Sequence, residues 1–266
     1  MRWALWSIVL IPFLCLVAGL AGAIGPAVAD CPGPDGDGYS CSDSDDLGGP
    51  AFSWVDISQT GTSIPLDDDD YEFPIDLPFA FQFYGQSYTQ IAVGANGGVY
   101  FEDTDFFNPN TALPTSGAGP GAFIAAYWDD LNPGTGGDVL YEVTGTAPDR
   151  AMVVEWKDIP LYSNSEDTLT MEVVLLEGSN NVLVQYLEPT SEGGQYATLG
   201  IQKDPAASLQ YSYDEAALQP QTSICYTSPG SSDPNCRNYT PEPGSTLLGL
   251  AALAALGWLR RVFHDH

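Results

Sequence analysis

Carboxylates are the abundant reactive groups of this 266-residue chain, with 35 Asp and Glu against 7 Lys and Arg and 2 His. Both histidines, His264 and His266, stand at the very end of the sequence, behind an apolar run. The body of the chain therefore cannot assemble a Ser-His-Asp or Cys-His nucleophile, nor a His-ligated zinc, copper or non-haem iron site. What carboxylates alone can do is general acid/base hydrolysis of a glycoside, which needs two of them roughly 5 to 10 Å apart. Asp129 and Asp130 follow an aromatic run, Ala126-Tyr127-Trp128. Neighbours on a strand point to opposite faces, so these two do not pair with each other. Glu155, Glu172 or Asp138 could approach one of them. Solvated loop acids, one of them capping a turn, are the commoner outcome, and no catalytic residue is assigned.

The second chemistry open to clustered oxygens is calcium binding, since calcium takes hard oxygen ligands. Asp35-Gly36-Asp37-Gly38 followed by Asp43-Ser44-Asp45-Asp46 alternates oxygens within a Gly-rich segment. Asp35, Asp37, Asp43 and Asp45 are the candidate ligands of one structural calcium, with Tyr39 and Cys41 standing where further ligands are wanted. No other cofactor is expected. Residues 67–70 form a second acidic run of four aspartates, and four like charges in a row favour a solvated, disordered segment. Aromatic rings are plentiful, Tyr71, Tyr84, Tyr88, Tyr100, Phe106 and Phe107 among them. A carbohydrate-binding face would expose some of them beside amides and acids, while most belong in a core, because strands accumulate aromatics.

The elements that must position these groups read as strands. Residues 79–83, 168–173 and 182–186 alternate with period two. Further strands are expected at 91–93, 99–101, 123–128, 139–143, 152–156, 197–202 and 209–213. Gly85-Gln86, Asn96-Gly97-Gly98, Gly178-Ser179-Asn180-Asn181 and Glu192-Gly193-Gly194 punctuate them as turns, and Asn96-Gly97 is a strong hairpin signal. No amphipathic helix stands out. The pattern predicts an all-β fold, a single antiparallel β-sandwich domain over residues 50–220. Residues 30–49, rich in Asp and Gly, and 221–240, rich in Ser, Pro and Asn, are expected to be linkers that bury little apolar surface.

Both ends carry export signals. Arg2 precedes an uncharged run at residues 3–28, which ends in Ala27-Val28-Ala29 before Asp30. This is the plan of a cleavable signal peptide, residues 1–29, for a signal peptidase; the alternative is an uncleaved anchor. The other end reads Pro241-Glu242-Pro243, then an apolar stretch at about 245–259, then Arg260-Arg261. That stretch has no polar face. It could span a membrane as a short helix with the arginines at the cytoplasmic headgroups.

Residues 241–266 resemble the PEP-CTERM sorting signals of exported bacterial proteins, which join a Pro-Glu-Pro motif, a short transmembrane helix and a terminal basic cluster. The resemblance implies recognition by an exosortase and a Gram-negative envelope that makes exopolysaccharide. It also implies a chain held transiently in the inner membrane by its tail, then displayed at the cell surface or in the extracellular matrix.

With Cys15 inside the signal, four cysteines remain outside the cytoplasm, and an even count there reads as two disulfides. Of three connectivities, Cys31 with Cys41 and Cys225 with Cys236 is favoured, because each closes a short loop at one end of the domain. A zinc site built from the four thiolates is the rival. Between Asp30 and Thr240 stand 33 acids and only 4 bases, Arg150, Lys157, Lys203 and Arg237. Such a field repels phosphate backbones and anionic lipid. No nucleic-acid partner is expected, and membrane contact is expected only through the terminal segments.

The run Phe83-Tyr84-Gly85, then Val93-Gly94-Ala95-Asn96-Gly97-Gly98-Val99-Tyr100-Phe101, resembles the core of nidogen-like extracellular domains. Ala126-Tyr127-Trp128-Asp129-Asp130-Leu131 and Gly137-Asp138-Val139-Leu140-Tyr141 are similar to that family's second stretch. Upstream, Asp45-Asp46-Leu47-Gly48-Gly49-Pro50 with Trp54-Val55-Asp56-Ile57 is similar to the start of a related module of bacterial surface proteins. The resemblance implies a β-rich, non-catalytic adhesion or matrix module with a polysaccharide or surface-protein ligand. A carboxylate glycosidase and a purely structural spacer are the alternatives.

Overall fold

The computed structural model describes residues 31–105, 109–115, 121–237 and 239. The expected signal segment 1–29 and the tail with Pro241, Glu242, Pro243, Arg260 and Arg261 lie outside the described residues, as do Phe106 and Phe107. Among the described residues, no helix is long and apolar enough to cross a membrane.

The described chain is all-β apart from two short 3-10 turns, Pro133–Thr135 and Pro234–Cys236. Its strands are β1 (Ser40–Asp43), β2 (Thr62–Ile64), β3 (Tyr71–Phe83), β4 (Gln86–Gly94), β5 (Gly98–Tyr100), β6 (Phe123–Trp128) and β7 (Asp138–Thr144). They continue with β8 (Ala151–Leu161), β9 (Asn164–Leu176), β10 (Val182–Glu188), β11 (Thr198–Asp204), β12 (Ala207–Tyr213) and β13 (Thr222–Thr227). Every period-two or apolar run read from the sequence coincides with or overlaps one of them. They form two antiparallel sheets, one ordered β1-β13-β10-β9-β8-β7-β2 and the other β12-β11-β6-β5-β4-β3.

Alternation decides which face each strand buries. In β3, Ile75, Leu77, Phe79, Phe81 and Phe83 point inward while Asp76, Pro78 and Ala80 face water. Pro74 and Pro78 are tolerated because β3 is the last strand of its sheet and needs no second ladder. The main core draws on both sheets, with Phe81, Phe83, Ile91 and Val93 from one and Trp156, Met171, Val173 and Val184 from the other. Two smaller clusters cover the outer faces. Val55 and Ile57 close over Val153, Val174 and Leu183 on one side. Leu113, from the long β5–β6 connection, closes over Tyr100, Phe123 and Ala125 on the other.

The two segments expected to be linkers need correction. β1 pairs with β13 from Ser40↔Thr227 to Asp43↔Ile224, and β13 pairs with β10 along its other edge. Tyr39, Ile224, Cys225 and Tyr226 are fully buried. A four- to six-residue strand is averaged away when a polar window of about twenty residues is read by composition. The acidic run at 67–70 is also ordered. Asp70 Oδ2 accepts from the Asp67 amide (3.4 Å), and the Asp70 carbonyl accepts from the Ala95 amide (2.8 Å).

Candidate functional site

Of the carboxylates put forward for a hydrolytic pair, Glu155 and Glu172 do meet. They stand directly opposite each other on β8 and β9, and Gln185 and Ser223 continue the row across β10 and β13. All four sit on the outer face of the sheet, where residues 53–57 cross as an extended strap. The Ser53 amide donates to Gln185 Oε1 (2.7 Å), the Ile57 amide to Glu155 Oε2 (3.2 Å), and the Val55 amide reaches Glu172 Oε2 (3.3 Å). Gln185 Nε2 donates both to Glu172 Oε1 (2.5 Å) and to the Ser53 carbonyl (2.9 Å).

Burial pushes the Glu155 carboxyl up to about 7 and the Glu172 carboxyl well above its ordinary range, with Glu155 adding like charge to the latter. Both groups are sealed beneath the strap, so a sugar ring has no route to them. Their visible work is to receive backbone amides that would otherwise be buried without partners. Asp129 and Asp130 lie elsewhere, just past the end of β6, and Asp138 opens β7 opposite Lys157.

The four predicted calcium ligands do not converge. Asp35 Oδ2 accepts from the Tyr84 hydroxyl (2.7 Å), while its Oδ1 takes the amides of Asp37 and Tyr39. Asp37 pairs with Lys203 (2.7 Å). Asp43 is buried, its Oδ2 accepting from the Tyr211 hydroxyl (3.0 Å) and its Oδ1 from the amides of Asp45 and Asp46. These are Asx-type turn bonds and ring anchors. Among the described residues, one set of three carboxylates has ligand oxygens mutually within 4.8 Å, and it is Asp68, Asp69 and Asp130.

That set belongs to one end of the molecule, where strand register gathers the start of β3, the β4–β5 turn, the ends of β6 and β12 and the β8–β9 and β10–β11 connections. The end is strongly acidic. Burial and the neighbouring Asp130, Glu192 and Asp214 push Asp129 up to about 6. Beside the acids stand exposed rings, Tyr162 (60% exposed), Tyr196 (53%), Tyr213 and Tyr71, the last donating its hydroxyl to Asp103 (3.1 Å). Tyr84 and Tyr100 are core, as expected of most aromatics. At the opposite end a pocket of about 510 Å³ opens between the β7–β8 and β9–β10 turns. Its cation, Arg150, is held by Glu177 through Nε (2.7 Å) and Nη2 (2.6 Å).

Residues 46–241 match the family model described as NIDO related. The chain belongs to the NIDO-related family. No curated protein and no solved structure matches it. The NIDO-related match begins inside the segment read as an acidic linker and runs through β13, so it agrees with the sheets in extending beyond residues 50–220. A nidogen-related domain and two disulfides, Cys31–Cys41 and Cys225–Cys236, fit an extracellular or cell-surface module. Sequence reasoning missed Tyr162 and Tyr196 among the exposed rings of the acidic end. Tyr162 and Tyr196 carried one usable signal, an aromatic inside a turn-rich segment between two strands.

Proposed function

We propose that this chain is an exported, non-catalytic surface or matrix module whose two sheets form a β-sandwich and whose acidic, tyrosine-bearing end binds a neutral polysaccharide or a surface component. The observation that carries the reading is the exposure of Tyr162, Tyr196 and Tyr213 around acids that can accept hydrogen bonds from hydroxyls. Flat amphipathic rings beside fixed acceptors are the usual furniture of a sugar subsite. The charge of the exported part disfavours a polyanionic ligand. Absence of hydrolysis is supported by the burial of Glu155 and Glu172 under the strap. The Pro241-Glu242-Pro243 motif and the apolar run after it support exosortase processing, with delivery to the cell surface or matrix.

Binding to an array of neutral polysaccharides tests the reading, with the triple variant Tyr162→Ala, Tyr196→Ala, Tyr213→Ala beside the wild type. The expected outcome is binding that the triple variant loses while its stability stays within about 0.5 kcal/mol per surface change. Undiminished binding by the triple variant would move the site elsewhere. Release of reducing ends from any polysaccharide would replace the reading with a hydrolase.

A further inference from the structure

Residues 50–57 lie over the seven-stranded sheet without joining its ladders. A turn closes the strap at each end: the Gly49 amide donates to the Asp46 carbonyl upstream, and the amides of Thr60 and Gly61 donate to the Ile57 carbonyl downstream. Between those turns, among the described residues, no strap amide bonds to a backbone carbonyl. The polar fastening is three side chains. Gln185 grips Ser53 at its amide (2.7 Å) and its carbonyl (2.9 Å), Glu172 Oε2 accepts from the Val55 amide (3.3 Å), and Glu155 Oε2 accepts from the Ile57 amide (3.2 Å).

Two of the three fasteners are therefore acids, opposite each other on β8 and β9 and almost wholly buried, Glu155 at 1% and Glu172 at 0% exposure. Like charges sharing a dry site disfavour ionisation of both. Among the described residues, neither glutamate belongs to an ion pair. The other titratable groups facing the pair are Asp56 on the strap, Lys157 and Asp158 on β8, and Tyr239. Lys157 is tied to Asp158 (2.8 Å), Asp56 adds negative charge, and burial raises the Tyr239 hydroxyl so that it stays neutral. β10 and β13 contribute Gln185 and Ser223, which do not titrate. No neighbouring element balances a second negative charge.

The strap is the cover on this face, so lifting it hydrates both carboxylates while the ladders beneath stay whole. We infer that residues 53–57 are a pH-gated latch, shut while Glu155 and Glu172 hold a proton between them and lifted when both are ionised, with the two sheets remaining folded. The sign follows from burial, which raises both carboxyls when the strap is shut, whereas hydration returns them toward about 4.5. The shut form thus binds more protons. It is favoured fully below about pH 4.5 and yields as the pH rises through about 7 for Glu155 and higher for Glu172. Each proton released on opening raises the opening constant by up to about tenfold per pH unit. Opening bares Val153, Val174 and Leu183, the apolar residues that Val55 and Ile57 cover. The latch does not depend on the polysaccharide reading.

Amide hydrogen exchange of the full chain at pH 5 and pH 8, corrected for the intrinsic pH dependence of exchange, tests it. Protection at Ser53, Val55 and Ile57 should fall by more than about tenfold across that range. The amides of Val153 and Val174, paired between β8 and β9, should keep theirs. Glu155→Gln with Glu172→Gln leaves an acceptor at each position and should make strap protection equal at the two pH values, while Glu155→Gln alone should leave a weaker dependence. Three results would overturn the latch: wild-type strap protection that ignores pH, loss of protection at Val153 and Val174 in step with the strap, or the wild-type pH dependence retained in the double variant. The first two are read on the wild type, so a double variant that fails to fold leaves the test standing.

Discussion

Glu155 and Glu172 show how one residue type can look catalytic in a sequence and turn out to be masonry. Each is placed by strand register opposite the other, and each receives an amide of the strap. Their raised pKa values carry a signed consequence. A carboxyl near 4.5 in the unfolded chain and near 7 in the fold, as for Glu155, takes up protons on folding. Its contribution is fully present below about pH 4.5 and is lost as the pH rises through about 7. Glu172 shifts in the same direction and extends the loss to higher pH. In Glu155→Gln the carboxamide oxygen can still accept the Ile57 amide, and position 155 no longer titrates. Denaturant unfolding from pH 5 to pH 8 should therefore show the variant gaining on the wild type, by at most about 1.4 kcal/mol per pH unit. Parallel stability curves would mean that Glu155 does not titrate in this window.

At the scale of elements, the β4–β5 hairpin organises the loop end. Ala92↔Tyr100 and Val93↔Val99 fix the register, which leaves Ala95, Asn96 and Gly97 as a three-residue connection with Gly97 at φ 72°. The Gly97 carbonyl accepts the amides of Ala126 and Tyr127, and a Cβ on Gly97 would stand 2.1 Å from the Tyr127 carbonyl oxygen. Gly97→Ala meets both the φ penalty and that backbone oxygen, so it should cost more than about 2 kcal/mol in denaturant unfolding. A cost below about 1 kcal/mol, the ordinary surface or propensity effect, would show that the hairpin can move away from β6.

Asn96-Gly97 was legible as a turn because its chemistry is local, and so were the ten alternating or apolar runs. β1, β2 and β13 were not, being three to six residues long and flanked by Ser, Asp, Pro and Gly. The strap was hidden for another reason. Its bonds go to side chains more than ninety positions away, as from Ile57 to Glu155 and Val55 to Glu172. Nothing in the spacing of Val55 and Ile57 announces such partners. The acidic runs were visible, but that residues 68 and 69 meet Asp130 is decided by topology.

For the molecule as a whole, the chain enters and leaves the sheets along one edge. Cys41 lies in β1 and Cys225 in β13, opposite Ser42, so both disulfides sit on the β1–β13 pair. They close loops with sequence separations of 10 and 11. Loop entropy alone gives nearly equal stabilisation, about 2.7 kcal/mol each. The native state breaks that symmetry. β1 is an edge strand with one neighbour, whereas β13 is bonded on both sides, and Cys225 and Cys236 are buried in the cluster that includes Val55, Val153 and Leu183. Removing the first bridge frees only an edge. Opening the second leaves an unlinked pair inside a packed layer and loosens the strand through which β1 is attached. Cys225→Ala with Cys236→Ala should therefore destabilise the chain beyond the entropic figure and raise amide exchange in both β1 and β13. Cys31→Ala with Cys41→Ala should cost close to that figure and raise exchange in β1 alone. Equal costs with identical exchange patterns would mean that the bridges act on the unfolded chain only, and that the position of β13 inside the sheet adds nothing.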